Sequence, residues 1–525
     1  MIKSYMILMV LLGGACAMFG QDTWLKVFCA NGNQVENYNV DIGYSVASTI
    51  DDAVVVVGKA NPVYGEFSKL IKGKTDAVVV KLSSTGSVIW QRTIGGLGND
   101  YANSVATCPN GDILITGGTD SFSGDFNGPL VGTFVVKLDK DGNVQWIKTY
   151  GGNEGRFITS TSDDGIIVTA SEKQLSYSNV LAMKLDKDGS VLWKSAFAGT
   201  GNDWVTSHVN TSDNGVIITG STKSNDGDFT GMNKGGTDFF AIKLDRDGRL
   251  QWKRNIGGQA DEGFGAVAAT TDGNFVLTGS TYSIDGDFDG MPIDHRAEVV
   301  VVKIDTTGSI LWKKYFGGTY NDLGISIATK TDGSILVTGC AGSADGDFID
   351  LGKRGDFDIF VLQLDAQGNL LRKRLYGGTN WDNPYSIATT SYGEVLVTGF
   401  TCSVDFDFKR NCSATYDIFV IKLDTDSLYP DTSTIEDTTS STPLLIAPNP
   451  LSPSSTIQFA LDNPSHVRID LLNALGQAFE FLFNGYSDSG THTLPLDISS
   501  LTSGVFWVRM TTDTGVQTAQ VSLVK

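Results

Sequence analysis

The sequence predicts an all-β protein: a seven-bladed β-propeller, its last blade closed by an N-terminal strand, followed by a small C-terminal β-sandwich. One observation is a repeat whose copies begin at Gly95, Gly151, Ala198, Gly257, Gly317 and Gly377, spaced 56, 47, 59, 60 and 60 residues apart. Such a period is typical of propellers and solenoids. Another is a strand ending similar to Lys-Leu-Asp, which occurs seven times, at Lys81, Lys137, Lys184, Lys243, Lys303, Gln363 and Lys422.

Each repeat contains four short runs rich in Val, Ile and Thr. In the copy from Gly317 the runs are Ile325–Thr329, Ser334–Thr338, Ile359–Leu364 and Leu370–Tyr376. They show no 3.6-residue period, which favours strands over helices. A sheet of four such strands has two apolar faces, and radial stacking of sheets buries both.

The register of the repeats predicts how the ring closes. The copy from Gly377 ends after Leu423 without a fourth strand, whereas Trp24–Phe28 has the fourth-strand pattern, aromatic then basic. We therefore expect Trp24–Phe28 to be the outermost strand of the last blade, which removes open sheet edges. The fourth-strand tryptophans are expected in the core; they are Trp24, Trp90, Trp146, Trp193, Trp252 and Trp312.

Residues 1–20 have the pattern of a secretory signal peptide: Lys3, an apolar run over Met6–Leu12 and a small-residue cleavage site at Ala15-Cys16-Ala17. Cleavage before Gln21 fits equally well. Cys16 leaves a lipoprotein signal open, although Gly13 stands where that signal prefers Leu. The propeller is then expected over residues 22–426. No later stretch approaches the ~20 apolar residues of a transmembrane helix.

The amino-acid composition restricts the kinds of partner that the chain is expected to bind. The formal net charge of −20 argues against nucleic acid and anionic membrane surfaces and favours cations. The five cysteines after the signal peptide (Cys29, Cys108, Cys340, Cys402 and Cys412) are too few and uneven for a disulfide framework. Cys402 and Cys412 flank one loop and could pair, with Cys29 as a competitor. We expect a monomer.

Strand order distinguishes two faces of the ring. The loops between strands two and three lie on the same side as the links between blades, and we name this side the long-loop face. The opposite, tight-turn face carries turns such as Asp139–Gly142. Because variable loops on a rigid scaffold carry function, we expect the functional site on the long-loop face.

A Gly-Asp-Phe motif recurs in the long loops, beginning at Gly124, Gly227, Gly286 and Gly346. Asp285–Gly290 matches the opening of a D-x-D-x-D-G loop, whose carboxylates converge on Ca²⁺. The candidate calcium ligands are Asp226, Asp228, Asp285, Asp287, Asp289, Asp345 and Asp347. An EF-hand is excluded because Arg296 stands where the closing Glu belongs. Alternatively, Asp caps the turn and Phe anchors the loop.

Catalysis finds little support, and no catalytic residue is nominated. His208, His295, His466 and His492 lie at no metal-ligand spacing, and no nucleophile elbow occurs. Leu138–Trp146 is similar to the tryptophan-docking repeat of quinoprotein dehydrogenases, with a shorter turn and no Cys-x-x-Cys-His. A quinoprotein-like dehydrogenase or a glycan-processing enzyme is therefore the alternative function.

The pattern GG-x-x-x-ND…SIAT-x-x-DG-x-x-LVTG, as at Gly317–Gly339, resembles the bacterial β-propeller repeat (SBBP) family. The resemblance covers all seven units, although the unit from Gly151 is short and lacks Gly-Asp-Phe. It implies the propeller fold and an extracellular location.

The chain beyond the propeller has two parts. Residues 427–444 are Ser/Thr-rich and acidic, as in a linker. Residues 445–525 resemble the type A C-terminal sorting domain of the type IX secretion system. The motif residues are Pro448, Asn449, Pro450, Gly476, Gly504 and the terminal Lys525. The resemblance implies a Bacteroidota-type source, recognition by the type IX machinery, possible cleavage in the linker, and secretion or surface anchoring.

These observations predict an exported, non-catalytic binding or adhesion protein whose long-loop face contacts a glycan or a protein. Candidate stacking residues are Trp204, Trp381, Tyr320 and Tyr385. The short unit from Gly151 breaks the symmetry of the ring, and we expect a binding site there. Calcium is the one cofactor that the sequence suggests.

Overall fold

The computed structural model shows two compact units, residues 1–430 and 431–525. It describes residues 17–19, 23–29, 40–61, 65–126, 131–152, 154–174, 177–263, 265–290, 296–349, 351–409, 416–424, 444–452, 454–461, 464–472, 478–496, 504–512 and 515–523. The predicted signal peptide is described only at Ala17–Phe19, and nearly all of the predicted linker lies outside the described residues.

The described part of the first unit contains seven sheets, which we number as blades. Two strands precede them, β1 (Ala17–Phe19) and β2 (Thr23–Phe28). Blade 1 comprises β3 (Ile42–Ser48), β4 (Val54–Ala60), β5 (Asp76–Leu82) and β6 (Val88–Ile94). Blade 2 comprises β7 (Asp100–Thr107), β8 (Ile113–Thr119), β9 (Gly132–Leu138) and β10 (Val144–Gly151). Blade 3 comprises β11 (Glu154–Ser160), β12 (Ile166–Gln174), β13 (Tyr177–Leu185) and β14 (Val191–Phe197).

The remaining blades follow the same order. Blade 4 comprises β15 (Asp203–Asn210), β16 (Val216–Thr222), β17 (Asp238–Leu244) and β18 (Leu250–Ile256). Blade 5 comprises β19 (Glu262–Gly263), β20 (Val267–Ala269), β21 (Phe275–Thr281), β22 (Glu298–Ile304) and β23 (Ile310–Phe316). Blade 6 comprises β24 (Asp322–Thr329), β25 (Ile335–Ala341), β26 (Asp358–Leu364) and β27 (Leu370–Tyr376). Blade 7 contains β28 (Asp382–Thr389), β29 (Val395–Thr401) and β30 (Asp417–Leu423).

The first strands of successive blades contact one another in turn, and β28 of blade 7 contacts β3 of blade 1, so the ring is closed. The chain end completes blade 7: β2 pairs with β30, placing Trp24 opposite Lys422. The predicted N-terminal closing strand is therefore confirmed. Strand β1 adds to the outer edge of β2.

The sequence left the disulfide pairing undecided, and the structure shows that the cysteine after the closing strand is disulfide-bonded. Cys29 follows β2 and is disulfide-bonded to a partner outside the described residues. Cys402 keeps its thiol, so the suggested Cys402–Cys412 pair is wrong. The reason lies in the closure: β2 brings Cys29 beside the start of β30, where it follows the Phe28–Ile418 pair.

The hydrophobic core is divided into layers between adjacent blades. The junction of blades 1 and 2, for example, buries Val57, Ile115 and Phe134. The layer between blades 2 and 3 has seven buried residues, fewer than any other junction in the described part of the ring. Among the described residues, the junction between blades 2 and 3 therefore has the smallest apolar core layer.

The fourth-strand tryptophans connect neighbouring blades. Trp90 of blade 1 lies against Gly142 in the last turn of blade 2, where an added Cβ would lie 2.9 Å from the ring. Trp252 likewise covers Gly308, and its Nε1 donates to the carbonyl of Thr306 at 2.9 Å. Trp24 is buried, and the other five are half-buried and pack against the outer part of the core layers, as expected. Their rings cover a turn at the rim, where one edge stays in water.

The second unit contains two sheets in its described residues. One has β31 (Leu445–Ala447), β32 (Thr456–Leu461) and β35 (Gly490–Pro495). The other has β33 (Ser465–Leu472), β34 (Ala478–Ser487), β36 (Gly504–Thr512) and β37 (Gly515–Leu523). Their inner faces share one apolar core that includes Ile457, Val467 and Val508. The predicted sandwich is confirmed.

Candidate functional site

Every blade has an acidic residue at the start of its first strand or, in blade 1, directly before it, at the long-loop face; we name it the first-strand acid. The seven are Asp41, Asp100, Glu154, Asp203, Glu262, Asp322 and Asp382. Six are at most 1% exposed, whereas the side chain of Glu154 is 21% exposed. Blade 3 therefore differs from the rest at this position.

Asp322 shows what a buried first-strand acid does. Its Oδ2 accepts from the Ser343 hydroxyl at 2.7 Å and from the Gly318 N–H at 3.0 Å, and its Oδ1 accepts from Gly342 and Ser343 N–H. Most blades supply these donors from a Thr-x-Ser sequence after the second strand, such as Thr401 and Ser403 for Asp382. Through these hydrogen bonds the acid holds the link between two blades against the blade that follows it.

A second buried carboxylate faces the first-strand acid at five junctions of the described ring. It comes from the start of the preceding blade's third strand; the five are Asp76, Asp238, Glu298, Asp358 and Asp417. The Asp238 and Glu262 carboxyl groups are within hydrogen-bonding distance, and burial together with this contact raises the pKa of Glu262 to about 8. The pair therefore holds a proton at neutral pH.

The Gly-Asp-Phe motifs also bind the links between blades. Asp287 Oδ2 accepts from the Gly257 N–H at 3.1 Å, and Asp285 Oδ1 accepts from Gln259 N–H at 2.8 Å. Asp345 and Asp347 bind Thr319 and Gly317 in the same way, and Asp226 and Asp228 bind Thr200 and Ala198. The motif phenylalanines, such as Phe288, are fully buried.

These contacts support the turn-capping alternative for the predicted calcium ligands. Asp289 differs, since its carbonyl accepts from Lys313 Nζ at 3.2 Å. Within the described ranges, no three His, Cys, Asp or Glu side chains are grouped as a metal site. Calcium binding stays a prediction. Calorimetric titration with Ca²⁺, with melts in chelator, tests it: saturable heat and a lowered Tm support it, and a flat titration contradicts it.

In blade 3 the first-strand acid, Glu154, contacts different partners from those in the other blades. Glu154 accepts from the Tyr101 hydroxyl of blade 2 at 2.5 Å through Oε2, and its Oε1 forms an ion pair with Arg156. The Thr-x-Ser sequence is replaced by Ser171-Glu172-Lys173, which explains why the acid is not held as in the other blades. The Nε of Arg156 is buried and has no hydrogen-bond partner among the described residues.

Two tyrosines from the closing seam lie near this pair. The rings of Tyr44 in blade 1 and Tyr385 in blade 7 are 5.2 Å apart at 69°. Burial raises the pKa of Tyr44, and Tyr385 and Glu154 add to the rise. All these residues lie within the first four positions of first strands, at the long-loop end of the central opening. We name Tyr44, Tyr101, Glu154, Arg156 and Tyr385 the mouth cluster.

An aromatic group adjoins the mouth cluster. Phe400 lies 6.0 Å from Tyr385, 5.5 Å from Trp381 and 4.8 Å from Tyr416 between ring centroids. Trp381 is 45% exposed and Tyr385 37% exposed. We name Trp381, Phe400 and Tyr416 the aromatic shelf. The structure thus brings together two of the four predicted stacking residues.

The other two stacking candidates lie elsewhere. Tyr320 begins blade 6 and is 60% exposed, with the Arg296 guanidinium 5.2 Å from its ring. Trp204 follows the first-strand acid of blade 4. Glu154, Arg156, Tyr44 and Tyr101 were missed by the sequence analysis. The available signal was the loss of Thr-x-Ser in the short unit, where Ser171-Glu172-Lys173 stands instead.

His208 has a structural role. Burial lowers its pKa to about 3, so it is neutral. Thr159 Oγ1 donates to Asn210, so His208 Nε2 donates to Thr159 Oγ1 at 2.9 Å and Nδ1 accepts from Thr169 at 2.9 Å. No acid-base role remains for this ring.

A cleft opens on the tight-turn face between blades 2 and 3. Its volume is about 330 Å³, and its lining includes Cys108, Lys137, Asp164 and Lys187. The lining is polar, and Lys137 pairs with Asp112 at 3.1 Å. The cleft lies at the junction that has the fewest buried core residues among the described ones.

The sorting-motif residues fasten the last strand of the second unit. Asn449 Oδ1 accepts from the Ser522 N–H at 3.0 Å, and the Pro448 carbonyl accepts from the Ser455 hydroxyl at 3.0 Å. Pro448 and Pro450 follow cis peptide bonds, and Gly504 begins β36. Gly476 and Lys525 lie outside the described residues.

Comparison with known families assigns the second unit. Residues 445–524 match the model of the secretion system C-terminal sorting domain. This domain marks the chain for type IX export, so the protein is secreted or held at the cell surface. Among the described residues, no helix has the length and apolar character needed to span a membrane.

Two known proteins resemble part of the chain at low identity. The chain is 28% identical over 132 residues to the regulatory protein FlaEY of Caulobacter vibrioides, covering 24% of this chain and 14% of that protein. It is 23% identical over 455 residues to an uncharacterized WD repeat-containing protein of Acanthamoeba polyphaga mimivirus, covering 73% of this chain and 30% of that protein. The chain thus spans less than a third of either relative.

Solved structures resemble the chain at the level of architecture. The periplasmic gluconolactonase of Pseudomonas aeruginosa aligns with a TM-score of 0.43 at 13% identity, covering 70% of this chain and 99% of that one. The Dos1 propeller aligns with a TM-score of 0.39 at 11% identity, covering 73% and 78%. Neither likeness transfers an activity to this chain.

Proposed function

We propose that this exported propeller is a non-catalytic binding or adhesion protein whose ligand, a glycan or a protein, binds at the mouth cluster and the aromatic shelf. The observation that supports this is the behaviour of the first-strand acid. In six blades the acid is buried at the junction, but in blade 3 Glu154 is partly exposed and pairs with Arg156.

The location supports the same proposal. The cluster lies at the long-loop end of the opening, where residues from blades 1, 2, 3 and 7 meet. Exposed Trp381 and Tyr385 supply rigid aromatic surface, and residues of this type carry much of the affinity in many interfaces. Export by the type IX route presents this face outside the cell.

The test is a binding screen with the mature exported chain. Immobilised wild-type protein and the Glu154→Ala/Tyr385→Ala double variant are compared on a glycan array and on a panel of extracellular proteins. We expect the wild type to bind a ligand and the double variant to lose it, while Tyr320→Ala on blade 6 binds normally. A ligand bound equally by the double variant contradicts the proposal.

The enzyme alternative has a separate test. A quinoprotein-like dehydrogenase shows cofactor absorbance and dye reduction, and a glycan-processing enzyme releases product from the saccharides that it binds. The tryptophan pattern behind this alternative has a packing role here, since Trp252 covers the turn at Gly308 of the next blade. Turnover abolished by Glu154→Gln would favour an enzyme over a binding protein.

A further inference from the structure

The mouth cluster contains an ion pair, Glu154 with Arg156, that offers both hydrogen-bond acceptors and donors. Glu154 uses one oxygen for Arg156 and the other for Tyr101, and each oxygen keeps a lone pair for a ligand. The buried Arg156 Nε is a donor without a partner in the described structure. The Arg156 side chain is 39% exposed overall, so its terminal N–H groups, rather than the buried Nε, can donate to a ligand oxygen.

The aromatic rings form a continuous series from the rim into the opening. Trp381 contacts Phe400, Phe400 contacts Tyr385, and Tyr385 contacts Tyr44. The exposed members of the series are Trp381 and Tyr385. A ligand that contacts both Glu154 and Trp381 would therefore lie against aromatic faces, which favour an apolar C–H surface.

The local charges favour a neutral ligand. The Arg156 charge is matched by Glu154, with side chains 39% and 21% exposed. The Lys59 ammonium lies 5.9 Å from the Tyr44 ring and near the Asp41 carboxyl group. An anion would meet Glu154 and the net charge of −20, and a cation would meet Arg156.

A neutral pyranose has the complementary chemistry, because it presents an apolar C–H face and adjacent hydroxyls that both donate and accept. We propose, building on the proposed function, that the mouth cluster binds the neutral terminal sugar of a glycan. The sugar ring lies on Tyr385, adjacent hydroxyls bind Glu154 and Arg156, and the next sugar extends over Trp381.

The test compares neutral with acidic saccharides. The mature chain is placed on an array of oligosaccharides with neutral hexose, amino-sugar or uronate ends, and each hit is titrated in solution. We expect hits with neutral ends. Glu154→Gln, Arg156→Gln and Tyr385→Ala should each weaken binding about tenfold or more, and Trp381→Ala about fivefold.

Matched controls separate recognition from folding. Tyr320→Ala removes an exposed tyrosine on blade 6, and Arg249→Gln breaks an exposed ion pair with Asp247 on the tight-turn face. Both should change affinity less than about twofold. Tyr385→Phe keeps the ring and should keep most of the affinity, which covers the case that Tyr385→Ala unfolds.

The outcomes distinguish this inference from the proposed function. Hits confined to uronate ends, strengthened by Glu154→Gln, overturn the neutral-sugar assignment. A protein ligand lost in Tyr385→Ala but not displaced by saccharides overturns the sugar assignment while supporting the mouth cluster as the binding site. A ligand whose affinity is unchanged in all cluster variants overturns both, and so does the absence of any saccharide or protein ligand.

Discussion

Blade 6 and blade 3 place an acid at the same position of the repeat and use it in opposite ways. Asp322 is fully buried and accepts four hydrogen bonds from Gly318, Gly342 and Ser343. Glu154 is partly exposed and contacts Tyr101 and Arg156. The repeated carboxylate is therefore structural where the junction supplies its donors, and it is partly exposed in blade 3, where other partners replace them.

The largest expected effect on stability comes from removing the buried acid of blade 6. Asp322→Ala removes four acceptor contacts and leaves buried N–H groups unpaired, so it should lower the free energy of unfolding by about 3 kcal/mol or more. Glu154→Ala should lower it by less than about 1 kcal/mol, because its ion pair is partly exposed. Denaturant unfolding followed by tryptophan fluorescence measures both. Equal losses for the two variants would show that Glu154 is also a structural acid.

The second prediction concerns the link glycines. A Cβ on Gly257 would lie 1.9 Å from Asp238 Oδ1 and 2.7 Å from Glu262 Oε2, whereas a Cβ on Gly152 of the blade 3 link meets nothing within 4 Å. Gly257→Ala should cost about 2–3 kcal/mol through overpacking. Gly152→Ala should cost about 1 kcal/mol, because its φ is +74°. The same unfolding assay compares them, and a larger loss for Gly152→Ala would contradict the packing argument.

Much of the fold could be predicted because the repeat carries its own periodicity. In blade 6 the predicted Leu370–Tyr376 strand has the observed bounds, but the first strand begins at Asp322, before the predicted Ile325. The early start follows from hydrogen bonds of Asp322 across the junction, which no local pattern records. The mouth cluster was missed for the same reason: its residues come from four blades and meet only when first strands pack side by side, as Tyr101 and Glu154 do, or when the ring closes, as Tyr44 and Tyr385 do.

The buried pair of Asp238 and Glu262 should also make the stability of the protein depend on pH. The pKa of Glu262 rises from 4.5 to about 8 on folding, so its contribution to stability is full below pH 4.5 and is lost as pH rises through about 8. Groups around the pair are Lys234, Arg254, Asp261 and Asp287. Glu262→Gln should therefore raise Tm by a few degrees at pH 9 relative to wild type and change little at pH 5.

Melting curves from pH 5 to 9 measure this effect. Glu154→Gln is the control, since Glu154 lies outside the buried pairs and should leave the alkaline slope unchanged. A Glu262→Gln variant with the same alkaline slope as wild type would show that this pair does not hold a proton in the folded state.

The smallest expected effect is on the tight-turn face, where the chain contains its own control. Lys303, with a side chain 5% exposed, pairs with the half-exposed Asp272 at 2.7 Å. In blade 6 the equivalent Gln363 donates instead to the Ser334 hydroxyl at 3.2 Å. Lys303→Gln should therefore cost less than about 1 kcal/mol, because Asp272 remains in water. Asp272→Asn should cost more, since it leaves a buried ammonium without its counter-charge.

The same pair weakens in acid, opposite to the junction acids. Hydrogen bonds from Lys303 and Thr270 lower the pKa of Asp272 below its ordinary 3.8, so its contribution is present above that pH and is lost as the pH falls. Lys303→Gln should flatten the stability curve between pH 5 and pH 3. Combined with Asp272→Asn, it removes the unpaired ammonium, so the double variant should recover part of the loss of Asp272→Asn alone. No recovery would mean that the lysine, rather than the pairing, stabilises this face.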